Sequence, residues 1–165
     1  MTTSSIKAVL NELASTGRGF VTSVPDKGLA VLIQAVDSDP RFIHVPCTRE
    51  EEAIGLCAGA AFAGHRGVLL MQNSGLGNAV NALTSLVSFY QLPLLMLVSM
   101  RGGPGERIPA QMPMGRATRQ LLQACGVRVV DATDGKALVD AVRVDADGVI
   151  AVLASPETWA QLTAE

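Results

Sequence analysis

Residues 67–80 read GVLLMQNSGLGNAV, and three different patterns meet in this stretch. The first six residues form a continuous apolar run, which is typical of a central strand covered by helices on both faces. Two glycines and two asparagines follow within residues 73–78, so the backbone is expected to turn there and to come close to something. A helix-like pattern then begins at Asn78. Strand, glycine-rich turn and helix together make one unit of an α/β fold.

The same alternation extends along the chain in both directions. Residues 101–115 hold four glycines and three prolines and are predicted to form a long loop. The alternation predicts a single domain over residues 1–165, with a doubly wound, mostly parallel sheet of about six strands and helices on both faces. The strand patterns lie at 19–24, 42–46, 67–72, 92–99, 127–132 and 148–155, and the helical patterns at 5–15, after a cap at Asp26, at 48–64, 78–90, 116–125 and 136–142, and from Pro156.

Composition excludes several classes of protein. Hydrophobic residues make up 48% of the chain and charged residues 17%, so disorder is excluded, and a net charge of -2 gives no indication of a nucleic-acid partner. The most apolar stretch, 92–100, is too short to cross a membrane, and the N-terminus has no signal-peptide pattern. Cys47, Cys57 and Cys125 lack metal-ligand spacing and are expected to be small core residues. We therefore expect a cytoplasmic protein.

Acidic residues open the helix predicted at 48–64. Thr48 suits its N-cap, and Glu51, three residues later, would complete a capping box. Glu52 is expected to be a solvated charge. Glu50 is not needed for the cap and lies where ligands gather in parallel sheets, beyond the carboxyl ends of the strands. A carboxylate in a first turn is also favoured by the helix dipole alone, so the pattern by itself leaves both interpretations of Glu50 open.

Other polar residues give weaker signals. The turn NSGLGN fits neither the P-loop nor the full dinucleotide fingerprint, and a simple tight turn remains an alternative. Arg49, Arg101 and Arg107 suit the recognition of an anionic group, although surface solvation explains them equally. No Ser-His-Asp or Cys-His arrangement is predicted, since His44 lies inside a strand and His65 in a turn.

In combination, residues 48–83 resemble the pyrimidine-binding domain of thiamine-diphosphate enzymes. That family has a glutamate at a helix start, a small residue and a glycine seven and nine residues later, and a Ser-Gly-x-Gly turn after the next strand. Counting from either neighbouring glutamate spoils this register, so the resemblance selects Glu50. Counted from Glu50, the later positions fall without a gap on Cys57, Gly59, Ser74, Gly75 and Gly77.

A closer resemblance covers nearly the whole chain. The segments FVTSVPDKGL (20–29), MQNSGLGNAVNALTSL (71–86) and GERIPAQMPMGRAT (105–118) are similar to the alpha subunits of sulfopyruvate decarboxylases and to the matching half of phosphonopyruvate decarboxylases. The resemblance implies a lyase that decarboxylates a small anionic 2-keto acid. Phosphonopyruvate decarboxylases are usually single long chains, so a short chain of this kind favours sulfopyruvate as the substrate over phosphonopyruvate.

The resemblance also implies a cofactor and a set of site residues. The cofactor is thiamine diphosphate, and Glu50 would be the catalytic residue that forms a hydrogen bond with N1′ of its aminopyrimidine ring. The loop at 101–115 is expected to close over the substrate, with its glycines absorbing the motion. The implied cofactor-binding residues are Pro25, Glu50, Ser74, Gly75 and Gly77. Position at the ligand end of the predicted sheet, and not the resemblance, makes Lys27, Asn73, Arg101 and Arg107 the candidates for binding the substrate.

One motif of the family is absent. Relatives bind the diphosphate through Mg²⁺ with a G-D-G followed by N-N, whereas the Asp-Gly pairs at 134–135 and 147–148 lack that context. The resemblance therefore implies a beta subunit that carries the diphosphate and Mg²⁺ site, in an α/β hetero-oligomer. A cofactor-free regulatory or interaction module of the same fold remains the alternative. The pathway, coenzyme M synthesis or sulfonate breakdown, stays open.

Overall fold

The structure, a computed structural model, describes residues 6–144 and 147–162. Six strands form one sheet in the order β2-β1-β3-β4-β6-β5, and every neighbouring pair is parallel. This confirms the predicted doubly wound sheet. The strands are β1 (Phe20–Ser23), β2 (Ile43–Pro46), β3 (Gly67–Gln72), β4 (Leu94–Ser99), β5 (Arg128–Asp131) and β6 (Val149–Ala154). The helices are α1 (Ile6–Ser15), α2 (Ala30–Ser38), α3 (Glu50–Phe62), α4 (Leu76–Ala82), α5 (Met112–Ala124), α6 (Gly135–Val142) and α7 (Pro156–Trp159).

Helices cover the sheet on both faces and enclose two hydrophobic cores. The first core lies between the sheet and helices α1, α2 and α6, and the second lies between the sheet and helices α3, α4 and α5. In β3, Val68 and Leu70 enter the first core, while Leu69 and Met71 enter the second. The continuous apolar run in the sequence is thus explained, because successive strand residues face opposite cores and both must be apolar.

The direction in which the chain leaves each strand positions the site. After β1 the chain turns to α2 on the first face, whereas after β3 it turns to α4 on the second face. Neighbouring strands whose connections diverge in this way leave a crevice at their carboxyl ends, and ligands bind there in open α/β sheets. None of the helices in the described part of the chain has the length and hydropathy that a membrane crossing requires.

Two segments differ from their predicted forms. The glycine-rich turn is a 3₁₀ turn, Asn73–Gly75, which leads directly into α4 and then into a π-helical segment, Leu83–Ser88. The predicted loop at 101–115 ends earlier than expected, in a 3₁₀ turn at Pro109–Gln111 followed by α5 from Met112. Pro109 and Pro113 lie in the first turns of these elements. A backbone N–H there has no acceptor within the helix, so proline loses no hydrogen bond, and its fixed φ favours the helix.

The cap of α3 also differs from the prediction. The helix begins at Glu50. Arg49 is the N-cap residue, but its side chain forms no capping hydrogen bond. Oε2 of Glu52, not Glu51, accepts hydrogen bonds from the backbone N–H and the hydroxyl of Thr48, at 3.1 and 3.2 Å. Glu51 instead forms an ion pair with Arg49. Because the helix starts later than predicted, the carboxylate that reaches back to Thr48 is one residue further along.

The three cysteines are buried, as predicted. Cys57 lies in α3 and faces β1, where its sulfur is 3.3 Å from the hydroxyl of Thr22. Burial raises the pKa of the Cys57 thiol to about 11. Desolvation likewise raises the pKa of Cys47 and of Cys125. These thiols are therefore core side chains with little thiolate at neutral pH.

Replacing Glu52 with alanine is expected to lower the free energy of unfolding by about 0.5–2 kcal/mol, because both hydrogen bonds to Thr48 are lost. The matched variant Glu51→Ala removes only an ion pair with an exposed arginine and should cost less than about 1 kcal/mol. Urea unfolding of the two variants measures the difference. A larger loss in Glu51→Ala would contradict the assignment of the cap to Glu52.

Candidate active site

Glu50 occupies the crevice end of α3. It is the first residue of that helix, four residues beyond the end of β2, and only 8% of it is exposed. Within residues 6–144 and 147–162, no group forms a hydrogen bond or an ion pair with its carboxylate. A buried carboxylate without a partner is costly, so this side chain is suited to a donor that comes from outside the chain.

Gly75 provides the space that Glu50 occupies. A Cβ atom at Gly75 would overlap both Oε1 and Cδ of Glu50. The backbone of Gly75 has φ -79° and ψ -5°, which any residue can adopt, so glycine is required here for volume and not for conformation. What approaches the glycine-rich turn within this chain is thus the Glu50 carboxylate. The fold brings together two motif positions that are 25 residues apart in the sequence.

Ser74 and Gly77 lie on the outer side of the same turn, and both are exposed. The hydroxyl of Ser74 accepts a hydrogen bond from the side-chain amide of Gln72. A Cβ atom at Gly77 would lie 3.6 Å from the terminal carbon of Met114, which is an ordinary contact. Among the described residues, Gly77 therefore meets no neighbour that requires glycine, in contrast to Gly75.

Asn73 ties the turn to the neighbouring strand and is fully buried. Its Oδ1 accepts from the backbone N–H of Arg101 at 2.8 Å, and its Nδ2 donates to the Arg101 carbonyl and to the hydroxyl of Thr118, both at 3.0 Å. Both amide hydrogens are thus used inside the protein. In this arrangement Asn73 has no donor free for a substrate, contrary to our expectation from the sequence.

Arg101 is also engaged, by a residue that the sequence did not single out. Its Nε and one terminal nitrogen each donate to Glu106, at 2.7 Å. The Glu106 side chain is only 5% exposed and also accepts from the backbone N–H groups of Ile108 and Gly102. The Arg101 guanidinium, followed by these two N–H groups, holds the pKa of Glu106 well below its usual range. Arg101 and Glu106 therefore shape the loop.

Two glycines close the base of this loop. Gly102 has φ +80°, and a Cβ atom there would overlap the carbonyl of Gln111. A Cβ atom at Gly115 would lie 2.6 Å from the Gly102 oxygen, so the two backbones pack directly on each other. These glycines allow close packing, whereas the expectation from the sequence was that they absorb motion. Only Gly103 and Gly105 of the loop have open space around them.

The remaining candidate residues lie at the rim. Pro25, Lys27 and Arg107 are exposed, and neither cation has a hydrogen bond or ion pair with another described residue. Asp26 accepts from the backbone N–H of Leu29 at 3.1 Å and so fixes the turn that carries Lys27. A Cβ atom at Gly28 would meet the Ser99 hydroxyl, which places this turn beside the carboxyl end of β4. Lys27 and Arg107 are thus the free cations among the candidates.

Several proteins with established names are similar to this chain in sequence. The chain is 50% identical over 123 residues to the sulfopyruvate decarboxylase subunit alpha of Methanothermobacter thermautotrophicus, covering 74% of each chain. It is 46% identical over 120 residues to the subunit of the same name from Methanocaldococcus jannaschii, covering 73% of this chain and 71% of that one. The chain belongs to the sulfopyruvate decarboxylase alpha-subunit family. No family model matches it.

The family is also related to longer proteins. The chain is 41% identical over 125 residues to the phosphonopyruvate decarboxylase of Streptomyces viridochromogenes, covering 72% of this chain but 32% of that protein. A thiamine diphosphate-dependent 4-hydroxybenzoylformate decarboxylase from Rhodococcus jostii RHA1 has the same fold, with a TM-score of 0.67 and 16% identity over 93% of this chain and 30% of that one. A 2-oxoglutarate:ferredoxin oxidoreductase from Magnetococcus marinus gives a TM-score of 0.68 at 17% identity, over 94% and 29% of the two chains.

The ion pair of Glu106 with Arg101 should make the stability of the folded chain depend on pH. The pKa of Glu106 is lowered in the folded chain, so its contribution to stability is present above the unfolded value near 4.5 and is lost as the pH falls below it toward the folded value. Urea midpoints should therefore fall more steeply below about pH 4.5 in the parent chain than in Glu106→Gln. At pH 7, Glu106→Gln should be the less stable of the two. Parallel curves for both proteins would contradict this assignment.

Proposed function

We propose that the chain is the alpha subunit of a thiamine-diphosphate-dependent carboxy-lyase that converts 3-sulfopyruvate to sulfoacetaldehyde and carbon dioxide, active only together with a beta subunit. The observation that carries this proposal is the 46–50% identity to named alpha subunits over about three quarters of the chain. The buried Glu50 carboxylate without a partner supports it from the structure. The reaction belongs to sulfonate metabolism, in coenzyme M biosynthesis or in sulfonate breakdown.

The residues of the crevice fit the cofactor. When bound, thiamine diphosphate supplies the electron sink that decarboxylation of a 2-keto acid requires. Glu50 would hold the aminopyrimidine through N1′ and share a proton with that atom, which satisfies the carboxylate that nothing in the described chain satisfies. Gly75 keeps the carboxylate in place by leaving room for it. Pro25, Ser74 and Gly77 would lie against the cofactor from the neighbouring loops.

A second polypeptide would complete the site. The sequence has no G-D-G motif for Mg²⁺ and the diphosphate, and its relatives are named as alpha subunits. The phosphonopyruvate decarboxylase relative, of which this chain matches 32%, has room for the missing part within one polypeptide. We therefore infer a beta subunit that carries the diphosphate and Mg²⁺ site, in an α/β hetero-oligomer.

The surface along α3 supports such a partner. Leu56 and Phe62 of this helix are 38% and 66% exposed, and Phe89 and Tyr90 beside it are 72% and 56% exposed. The aromatic rings contact one another edge to face, with centroids 6.1 Å apart for Phe62 and Tyr90. Exposed aromatic clusters are typical of protein interfaces. Phe62 lies at the opposite end of α3 from Glu50, about 18 Å away at 1.5 Å per residue, so a beta subunit that covers the whole helix would reach the crevice.

The anionic head of the substrate would be bound at the rim. A sulfonate needs cations or N–H donors, because an unpaired anion in a closed site is costly. Lys27 and Arg107 are exposed and have no partner in the described ranges, whereas Arg101 is held by Glu106. We therefore assign the head group to Lys27 and Arg107 and a supporting role to Arg101.

A phosphonopyruvate decarboxylase is the second candidate. It is favoured by the 41% identity to the Streptomyces viridochromogenes enzyme of that name. The two substrates share the 2-keto acid and differ in the charge of the head group. Carbon dioxide release from sulfopyruvate and phosphonopyruvate, measured side by side with the co-expressed beta subunit, decides between them. No release from either would favour a cofactor-free module of the same fold.

Glu50→Gln is expected to lower turnover of the α/β complex by at least about 10²-fold, because the proton shared with the cofactor is lost. Glu51→Gln, one residue along the same helix, should keep most of the turnover. Both complexes should assemble normally in size-exclusion chromatography. Equal turnover in the two variants would show that Glu50 does not have the proposed role.

Gly75 and Gly77 provide a matched pair for the same assay. Gly75→Ala should displace the Glu50 side chain and reduce turnover nearly as much as Glu50→Gln, because the added methyl group overlaps the carboxylate. The methyl group of Gly77→Ala would meet only the end of a flexible methionine, so this variant should keep the stability of the parent chain. Full activity in Gly75→Ala would contradict the contact on which the site assignment rests.

Removal of a head-group cation should raise KM for sulfopyruvate more than for pyruvate, which has no head group to lose. Since a charge-assisted hydrogen bond is worth roughly 1.5–3 kcal/mol, the effect of Lys27→Ala or Arg107→Ala should be about ten- to a hundredfold. Arg128→Ala removes an exposed cation at the amino end of β5 and controls for net charge. If neither variant changes the ratio of KM values, the partner chain binds the sulfonate.

A further inference from the structure

A hydrogen-bonded chain that is buried at one end and exposed at the other links three elements next to the crevice. Oγ of Ser23, at the end of β1, is 2.9 Å from Nε2 of His44 in β2, and Nδ1 of His44 is 2.9 Å from Oδ1 of Asp37 in α2. An ionised carboxylate only accepts, so Nδ1 carries the proton, and in the neutral imidazole Nε2 accepts from the Ser23 hydroxyl. No Ser-His-Asp arrangement was predicted from the sequence, and the fold forms one.

This chain does not have the accessibility of a hydrolase triad. Ser23 is fully buried and the His44 side chain is 6% exposed, whereas the Asp37 side chain is 69% exposed. The hydroxyl that would act as nucleophile is therefore the least accessible of the three groups. It also faces away from Glu50, because the preceding residue, Thr22, contacts Cys57 of α3 and successive strand residues point to opposite faces. Direct attack on a substrate is excluded by this geometry.

Ser23 is instead the anchor of two loops. Its carbonyl accepts from the N–H of Cys47, at the start of the loop to Glu50, at 2.8 Å. The next residue, Val24, donates its N–H to the Leu70 carbonyl at 2.9 Å and begins the loop that carries Lys27. With its hydroxyl held by His44, Ser23 is fixed by both side chain and backbone at the point where these loops leave the sheet.

We propose that His44 is a positioning residue of the crevice: it holds the Ser23 hydroxyl and thereby fixes the loops that carry Lys27 and Glu50. A hydrophobic pair would fill the same buried space without the cost of desolvating polar groups, so packing alone does not account for this chain. Fully satisfied buried polar networks specify one arrangement of the elements they join. The kinetic part of this inference rests on the proposed function, and its structural part does not.

The test uses two variants of the α/β complex. His44→Phe keeps a ring but removes both nitrogens. Ser23→Ala removes one oxygen atom and is the variant to measure if His44→Phe does not fold. Amide hydrogen exchange of residues 24–29 and 47–50 should accelerate about three- to tenfold in both variants, as expected for the loss of one buried hydrogen bond. KM for sulfopyruvate should rise by a similar factor, and kcat should fall with sulfopyruvate and with pyruvate alike, because the loop that leads to Glu50 is loosened. The double variant should add nothing further, because both changes break one chain.

Two controls separate positioning from general loss of stability. Thr22→Val removes a neighbouring buried hydroxyl on the opposite face and should lower the melting temperature without changing either loop or the KM ratio. His44→Gln, whose side-chain oxygen can accept from Ser23, should restore slow exchange and a normal KM. Loop exchange in His44→Phe equal to that in Thr22→Val overturns the inference, as does an additive double variant. Failure of the parent complex to decarboxylate sulfopyruvate would overturn the proposed function alone, since loop exchange is measured without substrate.

Discussion

The contact between the Glu50 carboxylate and the bare backbone of Gly75 is the constraint on which the arrangement of the crevice depends. Two helices on the same face of the sheet meet at this point, and their packing against a shared core sets the space between them. A side chain at Gly75 would close that space, and a longer loop before α3 would withdraw the carboxylate. The start of a helix is a favourable place for a buried negative charge, because the helix dipole offsets part of its desolvation. The start of this helix thus holds a largely buried carboxylate that forms no hydrogen bond or ion pair with the described residues.

Patterns that depend on neighbouring residues were predictable from the sequence. The alternation of apolar runs and helical patterns fixes the order of the elements, because burial on two faces demands a continuous apolar strand. The selection of Glu50 among three consecutive glutamates followed from the resemblance to a family whose motif register fits only this glutamate, and the structure brings Glu50 and Gly75 into contact. Spacing of this kind survives folding because each motif position lies at the end of a regular element.

Interactions that depend on geometry within loops, or between distant elements, were not predictable. Glu106 lies only five residues after Arg101, but nothing in the sequence shows that the loop folds back to pair them. Asn73 has the chemistry of a substrate donor, yet Arg101 in the loop after β4 and Thr118 in α5 occupy its amide. The choice between Glu51 and Glu52 for the cap depended on a one-residue difference in where the helix begins. Each of these outcomes depends on shifts of a few ångströms in the position of a side chain, and the hydrophobic periodicity of the sequence carries no information about such shifts.

The backbone contact between Gly102 and Gly115 makes the intervening segment a separable unit. The contact closes the base of the loop without any side chain, and the ion pair of Arg101 and Glu106 holds its interior. Insertions between closed ends are thermodynamically inexpensive, since doubling the length of a flexible loop costs only about 0.6 kcal/mol. Apart from Glu106, the segment at 103–108 is therefore free to diverge in length and charge while the sheet and the crevice stay unchanged. Relatives that act on different anionic heads can differ there without a new scaffold, and selection for a new substrate can act on a handful of surface residues.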